Sequence, residues 1–318
     1  MVKYLLSRIA QAIAVLFGVS LVVFLLFHLQ SPQALAQSVI GDRATPAQIQ
    51  SFFQQEGFGR PLWDQYYLEV DHLVHLDFGH SWTFNEPVST LIAQKLPKTL
   101  VLVGCATVLA LVVAIPLGIF QTVRRNRPAD YALTTLSFVF YAMPSFVLGN
   151  LLILYLAVAH HLFPPLVPAA PSIGQLLSDP RALVLPVVTL SAITMASFSR
   201  YMRSSMMDAM AADFVRTARA KGIRKRRILF VHAFRNAILP IITLIGLAMP
   251  SIVGGAVITE TVFNFPGMGL LTFEAIQRND LSVIVAVTVV FAVAAVAGSL
   301  IADLLYSVAD PRIRYVSD

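Results

Sequence analysis

The chain is short of charge and almost free of cysteine. Only 13% of its residues are Asp, Glu, Lys or Arg, where a soluble globular domain carries about 25%. With 57% hydrophobic residues, it cannot cover itself with polar surface, which excludes a soluble enzyme or soluble binding module. Its single cysteine, Cys105, lies in an apolar run. No internal disulfide and no cysteine-based metal site can therefore form. A GxxxxGK[ST] phosphate loop is also missing. Gly267 and Gly269, in FPGMG, have no Lys-Ser/Thr after them. Any ATP-driven movement must take its energy from another polypeptide. There is no internal repeat and no low-complexity tract.

What is present is a series of long apolar runs. Residues 9–29 form the first, behind Lys3 and Arg8. A signal peptide has a similar opening, but its apolar core is only about 7–15 residues. The run instead matches the roughly 20 residues that cross a bilayer. Further spans are expected at about 99–122, 131–159, 182–202, 237–261 and 281–306, making six. Pro116 and Gly118 predict a kink in the second, and Pro144, with Ser145 beside it, a bend or break in the third. Residues 30–97 differ in kind, with seven acidic residues and both tryptophans. They read as a small external domain between the first and second spans. Thr45 is placed to cap a helix that opens on Pro46, with Gly57 near its stop. A second helix is expected over 62–74, and Trp63 and Trp82 read as packing anchors. Between the third and fourth spans, the loop 160–181 holds five prolines and is expected to be rigid and irregular. The fold class is thus an all-α integral membrane protein. Its parts are residues 1–29 (N-terminus and first span), 30–97 (external domain) and 98–318 (five-helix core).

The lysines and arginines test this topology. Seventeen of the 23 fall on one side of the six spans, in the termini, the 124–127 loop and the stretch from Arg200 to Arg235. Short loops rich in Lys and Arg stay cytoplasmic, so both termini and the 200–236 loop face the cytoplasm and 30–97 faces out. The net charge of +6 thus reflects topology and lipid contact, and no nucleic-acid partner is expected. The longest polar interval in the second half is 213–240. From Arg216 to Arg227, seven of twelve residues are basic and none is acidic. A helix over 204–221 would place Met207, Met210, Ala211, Phe214 and Ala218 on one stripe, with Gly222 as its stop. The residues alone leave two readings open: a topogenic loop lying on anionic lipid, or a docking element for a cytoplasmic partner.

Few ionisable residues sit inside spans, where they are costly and usually functional. Glu260 lies at the outer end of the fifth span and Asp303 near the inner end of the sixth. A structural or pore-lining role suits them better than a proton relay, because an ion-coupled carrier or channel calls for deeper acids. His72, His75, His80, His160 and His161 lack a ligand-like spacing, and no metal site is expected. Breaks in spanning helices are tolerated where backbone is buried in protein or lines a cavity. On that ground Tyr141, Pro144, Ser145, Gly254, Gly255 and Glu260 are candidates for a translocation path. Close packing explains the Gly-Gly pair equally well.

RTARAKG followed by HAFRNAILP resembles the cytoplasmic EAA loop of permease subunits from ATP-binding-cassette importers. RTARAKG in particular resembles the dipeptide, oligopeptide and nickel branch of that family. Other stretches resemble it in order: KYLLSRIAQAIAVLFGVSLVVFLLFHL, ATPAQI, RPLWDQY, FGHSW, PVSTLIAQKLPKTL, MPSFVLGNLLI and GGAVITETVFNFPGMGLL. The resemblance covers nearly the whole chain. Two departures stand out: Arg216 replaces the Glu of the general loop pattern, as in the peptide branch, and Gln30-Ser31-Pro32-Gln33 replaces a Pro-Gly-Asp-Pro-like turn. The resemblance implies a type I importer permease of the bacterial cytoplasmic (inner) membrane that has no ATPase site of its own. It implies a coupling loop made by Asp213, Arg216, Thr217, Ala218, Arg219, Ala220, Lys221 and Gly222. Its implied partners are a second homologous permease subunit, two cytoplasmic ABC ATPase subunits that bind ATP and Mg, and an extracytoplasmic solute-binding protein. The expected cargo is a di- or oligopeptide, with nickel or another small solute as the alternative.

Overall fold

A computed structural model describes residues 2–28, 45–55, 60–168, 172–254 and 256–309. Its helices are α1 (Val2–His28), α2 (Pro46–Gln55), α3 (Leu62–Val74), α4 (Val88–Val123), α5 (Pro128–Ala142), α6 (Ser145–Leu152), α7 (Ile173–Ser178), α8 (Arg181–Ala211), α9 (Asp213–Ala220), α10 (Lys225–Arg227), α11 (Phe234–Ala237), α12 (Leu239–Gly254), α13 (Val257–Val262), α14 (Met268–Gln277) and α15 (Leu281–Ala309). Two π-helical stretches, Ile153–Ala159 and Ile228–Ala233, follow α6 and α10. The class is not purely helical: β1 (His80–Ser81) and β2 (Glu86–Pro87) form an antiparallel hairpin that the apolar periodicity did not foreshadow.

Among the described residues, four helical runs are long and apolar enough to cross a membrane: Val88–Val123, Arg181–Ala211, Lys225–Gly246 and Leu281–Ile301. The pair Pro128–Ala142 and Ser145–Ala159 counts as a fifth if taken as one broken span; its halves meet at 102°. That break falls at the expected proline, for Met143 and Pro144 are both extended (ψ 125° and 138°). Pro97 and Pro116 behave differently, since both lie inside the continuous helix α4. α1 has 27 residues and is therefore about 40 Å long.

The centre of the fold is α4 against α8. On α4, Ala106, Ala110, Ala114 and Gly118 recur every fourth residue, and all are buried. A row of small side chains at that spacing lets two backbones approach closely. α8 meets it with buried Ala192, Ala196, Ser199 and Met202. A Cβ at Gly118 would stand 2.7 Å from Met202 Cβ and 2.9 Å from the Arg203 nitrogen. The opposite face of α4 carries exposed Val108 and Val112, as lipid contact requires.

Local signals set the smaller elements. Thr45 forms a capping box with Gln48, whose Oε1 accepts from the Thr45 backbone nitrogen at 2.8 Å. Ser172 and Gln175 repeat it at α7. Apolar clusters then close the two ends. One joins Val88, Leu91 and Ile92 of α4 to Met268 and Leu271 of α14 and Val283 and Val287 of α15. The other joins Ile119 to Met202 and Met206 of α8 and to Leu229, Ala233 and Ile241.

The close approach is testable. Gly118→Ala is expected to destabilise the protein by about 1–3 kcal/mol through overpacking, read as a lower unfolding temperature in detergent. Gly104→Ala, where nothing lies within 4 Å of a new Cβ, serves as the control and should be close to neutral.

Candidate functional site

The basic loop folds as a helix set off from the span before it. Ala212 is extended (φ −68°, ψ 154°) and separates α8 from α9. This corrects the single helix expected over 204–221, because a break of one residue changes the phase of the stripe. The buried face is Met206 and Ala209 before the break, then Val215 and Ala218 after it, while Ala211 and Phe214 are exposed. Val215, Ala218 and Ile228 form a small apolar cluster with Met210 and Ile223 beside it.

Gly222 ends α9 as expected, at φ +70°. Its N–H donates to Arg219 O at 3.0 Å, and the Ile223 N–H donates to Ala218 O at 3.1 Å. These two bonds make a complete Schellman closure, with Ile223 packed in the cluster that holds Ala218. No neighbour lies within 4 Å of a Cβ built at Gly222, so it is the left-handed backbone that calls for glycine. Asp213, Arg216, Thr217, Arg219, Ala220 and Lys221 are all exposed, as are Arg224, Lys225, Arg226 and Arg227. Arg216 Nη1 and Asp213 Oδ1 are 3.2 Å apart on the open surface, where an ion pair adds little stability. Beyond Gly222, most of the stretch up to Pro240 already belongs to the next helical run, which starts at Lys225.

Beneath this loop Asp130 and Arg203 form a pair that sequence reasoning missed. Arg203 Nε and Nη2 donate to the two Asp130 oxygens at 2.9 Å each. The Asn126 backbone nitrogen also donates to Asp130, at 3.1 Å. Asp130 is 1% exposed, so the pair clamps the start of α5 to the C-terminal part of α8. The only hint in the sequence is an acid three residues beyond the arginine-rich 124–127 loop. One turn earlier on α8, the Arg200 guanidinium lies over Tyr141, 4.4 Å from the ring centroid, and 5.5 Å from that of Phe138.

The candidate path residues fall on separate elements. Tyr141, Pro144 and Ser145 sit at the 102° bend, where Tyr141 and Pro144 are exposed. Gly254 ends α12, and Gly255 lies outside the described residues. Glu260 is fully buried and holds segments together. Its Oε1 accepts from Thr99 Oγ1 at 2.7 Å, and its Oε2 accepts from the Gly269 and Leu270 nitrogens at 2.7 and 3.1 Å. Thr99 Oγ1 in turn accepts from the Met268 nitrogen at 2.8 Å. The carboxylate therefore caps the N-terminus of α14, which carries partial positive charge. Gly267 is needed for this contact, since a Cβ there would fall on both the Glu260 carboxylate and the Thr99 hydroxyl. At Gly269 it would stand 2.5 Å from Val257 Cα. The glycines of FPGMG are thus positioned by close approach to a carboxylate.

Other side chains follow suit. Asp280 caps α15 through the Val283 nitrogen at 3.3 Å and accepts from the Ser81 hydroxyl and the Thr83 nitrogen of the hairpin. His160 packs edge-on to Tyr155, and His75 lies 3.6 Å from Asp71. The reading of Trp63 as a packing anchor fails: it is 72% exposed.

Two domain-sized matches bear on identity. Residues 1–103 match the N-terminal part of the binding-protein-dependent transport system membrane component, and residues 114–315 match the binding-protein-dependent transport system inner membrane component. The chain belongs to this permease family. It is 37% identical to the oligopeptide transport system permease protein AppB of Bacillus subtilis, across 99% of this chain and 100% of that one. It is 32% identical to the dipeptide transport system permease protein DppB of Escherichia coli, across 99% of each chain. DppB of Lactococcus lactis is also 32% identical, over 99% of this chain and all of that one.

The buried carboxylates generate an expectation. Asp130→Asn leaves the Arg203 charge without its partner, and breaking a buried pair in this way costs about 3–5 kcal/mol. Asp213→Asn, at an exposed pair, should leave the unfolding temperature unchanged. Thermal unfolding of the purified chain in detergent reads both.

Proposed function

We propose that this chain is one permease subunit of an ATP-driven importer that carries di- or oligopeptides across the bacterial inner membrane. The observation that carries this reading is full-length similarity to relatives named for peptide transport, spanning both the external segment and the loop with α9. Six spans suit the family reading, with α1 and the broken α5–α6 unit added to the four straight ones. The distribution of Lys and Arg favours both termini inside and 30–97 outside.

The chain then works as follows. A solute-binding protein delivers the peptide on the outer face. Two ATPase subunits bind ATP and Mg, and their closure moves α9. α9 passes the movement on through Val215 and Ala218 to Ile228, at the start of the helical run that leads into α12. The path lies between this subunit and a second, similar permease, with the Tyr141–Ser145 bend on its wall. The exposed arginines and lysines of 216–227 call for a partner surface rich in carboxylates, and the buried face of α9 holds the helix to its own subunit. This chain does no covalent chemistry; it binds, moves and releases.

Co-purification with the ATPase subunits, and peptide uptake by the reconstituted complex, test the assignment. Arg219→Glu reverses charge on the exposed face, and it should abolish ATPase retention and lower uptake at least tenfold. Gly222→Val forces a branched side chain into a left-handed backbone and is expected to act in the same direction. Normal retention and normal uptake in both variants would sink the coupling role of α9. An importer that moves no peptide while its ATPases turn over would sink the substrate assignment.

A further inference from the structure

We propose that α3 lies in the outer leaflet of the bilayer, with lipid as the partner of its exposed apolar face. α3 is then a membrane-seated helix and not part of a separate water-borne domain. This rests on the reading of α1 as a span with its N-terminus inside.

The first ground is the sequence of α3 itself. At 100° per residue, Leu62, Trp63, Tyr66, Tyr67, Val70 and Val74 fall within one arc of the helix, and Leu73 joins them. Asp64, Asp71 and His75 fall on the opposite side. A helix with a wide apolar arc holding Trp and Tyr, and acids behind it, has the make-up of one that lies in an interface plane.

The second ground is where the arc is anchored. Tyr66 is 5% exposed. Its ring packs edge-on against Phe17 and Phe24 of α1, with centroids 5.6 and 5.2 Å away. Its hydroxyl lies 2.8 Å from Ser20 Oγ. Ser20 precedes His28, the last residue of α1, by two turns, which is about 12 Å along the axis. A contact at that depth lies within the hydrocarbon layer. The two hydroxyls satisfy each other there, as polar groups taken out of water must. α3 is therefore held against α1 below the headgroups, and the rest of its arc lies level with the outer leaflet.

The third ground is what remains uncovered. Trp63 and Tyr67 are each 72% exposed and Val74 is 73% exposed. Trp63 also stacks on Tyr66, at 6.2 Å and 22°. This apolar surface meets α1 at Phe17, itself about half exposed, and Val22 and Leu25 leave apolar surface open elsewhere around α1. One solvent must wet both, and beside a spanning helix that solvent is lipid. Trp and Tyr favour the level of the headgroups, which fits rings set around a tyrosine anchored below.

Spin labels on single cysteines test this in the complete transporter, reconstituted in phosphatidylcholine vesicles, with Cys105→Ala as background. Labels go at 63, 67 and 74, at 64 and 71 on the polar arc, and at 22 on α1. Collision with oxygen reports lipid, and collision with a water-soluble nickel chelate reports water. The ATPase rate of each labelled complex checks assembly. The oxygen-to-nickel ratio should be several-fold higher at 63, 67 and 74 than at 64 and 71, and as high at 22. If 22 meets lipid while 63, 67 and 74 meet the chelate, α3 stands in water and the proposal alone is wrong. If those three are shielded from both reagents, protein covers the arc and the proposal is again wrong. A label at 22 that meets the chelate overturns the span reading of α1, and the proposal with it.

Discussion

A carboxylate taken out of water has to be paired, and three such groups hold this fold together. Asp130, Glu260 and Asp280 are each at most 1% exposed. Each ties a helix end to a segment far away in the chain: α5 to α8, α14 to α4, and α15 to the hairpin. None can let go cheaply, because a buried carboxyl group stripped of its hydrogen bonds keeps its full desolvation cost. All three stand where an apolar run gives way to a loop. The spans are apolar enough to slide past one another, and these bonds are directional. Packing density therefore comes from the α4–α8 contact, while register comes from the carboxylates.

Much of this architecture was legible beforehand. Apolar runs announced the long helices, Pro144 announced the bend, and Thr45 with Pro46 announced a capped start. The limits of 62–74 were read correctly, because Pro61 and the turn after His75 punctuate that stretch. What escaped notice has physical causes. The break at Ala212 carries no signal, since alanine is the strongest helix former and only tertiary packing makes it extend. Glu260 read as a candidate path residue because sequence shows that an acid is near a span but not which way it points. Its partners, Thr99 and the nitrogens of α14, are supplied by the fold. Trp63 looked like core because tryptophan usually is; in the fold it stands largely exposed, stacked on Tyr66.

The same carboxylates sort the molecule into parts that hold and parts that give. Around Glu260 and Asp280, α4 near Thr99 and the N-terminal ends of α14 and α15 are tied by several bonds. Among the described residues, no carboxylate is hydrogen-bonded at the Met143–Pro144 bend. Beside it, Arg200 rests on the Tyr141 ring. A guanidinium over an aromatic face is held with little directional demand, so this contact tolerates small rotations that a bidentate pair would resist. The broken helix is thus pinned at its N-terminal end by Asp130, and its corner rests on an aromatic contact.

The end of α9 has one more consequence. Gly222 and Ile223 turn their N–H groups back onto the Arg219 and Ala218 carbonyls, so part of the backbone at this terminus asks nothing of its surroundings. Whatever lies against the exposed face meets side chains. Such a face can be respelled one residue at a time, with new charges and new shapes, while the backbone beneath keeps its form. A helix closed this way can change its surface without being rebuilt.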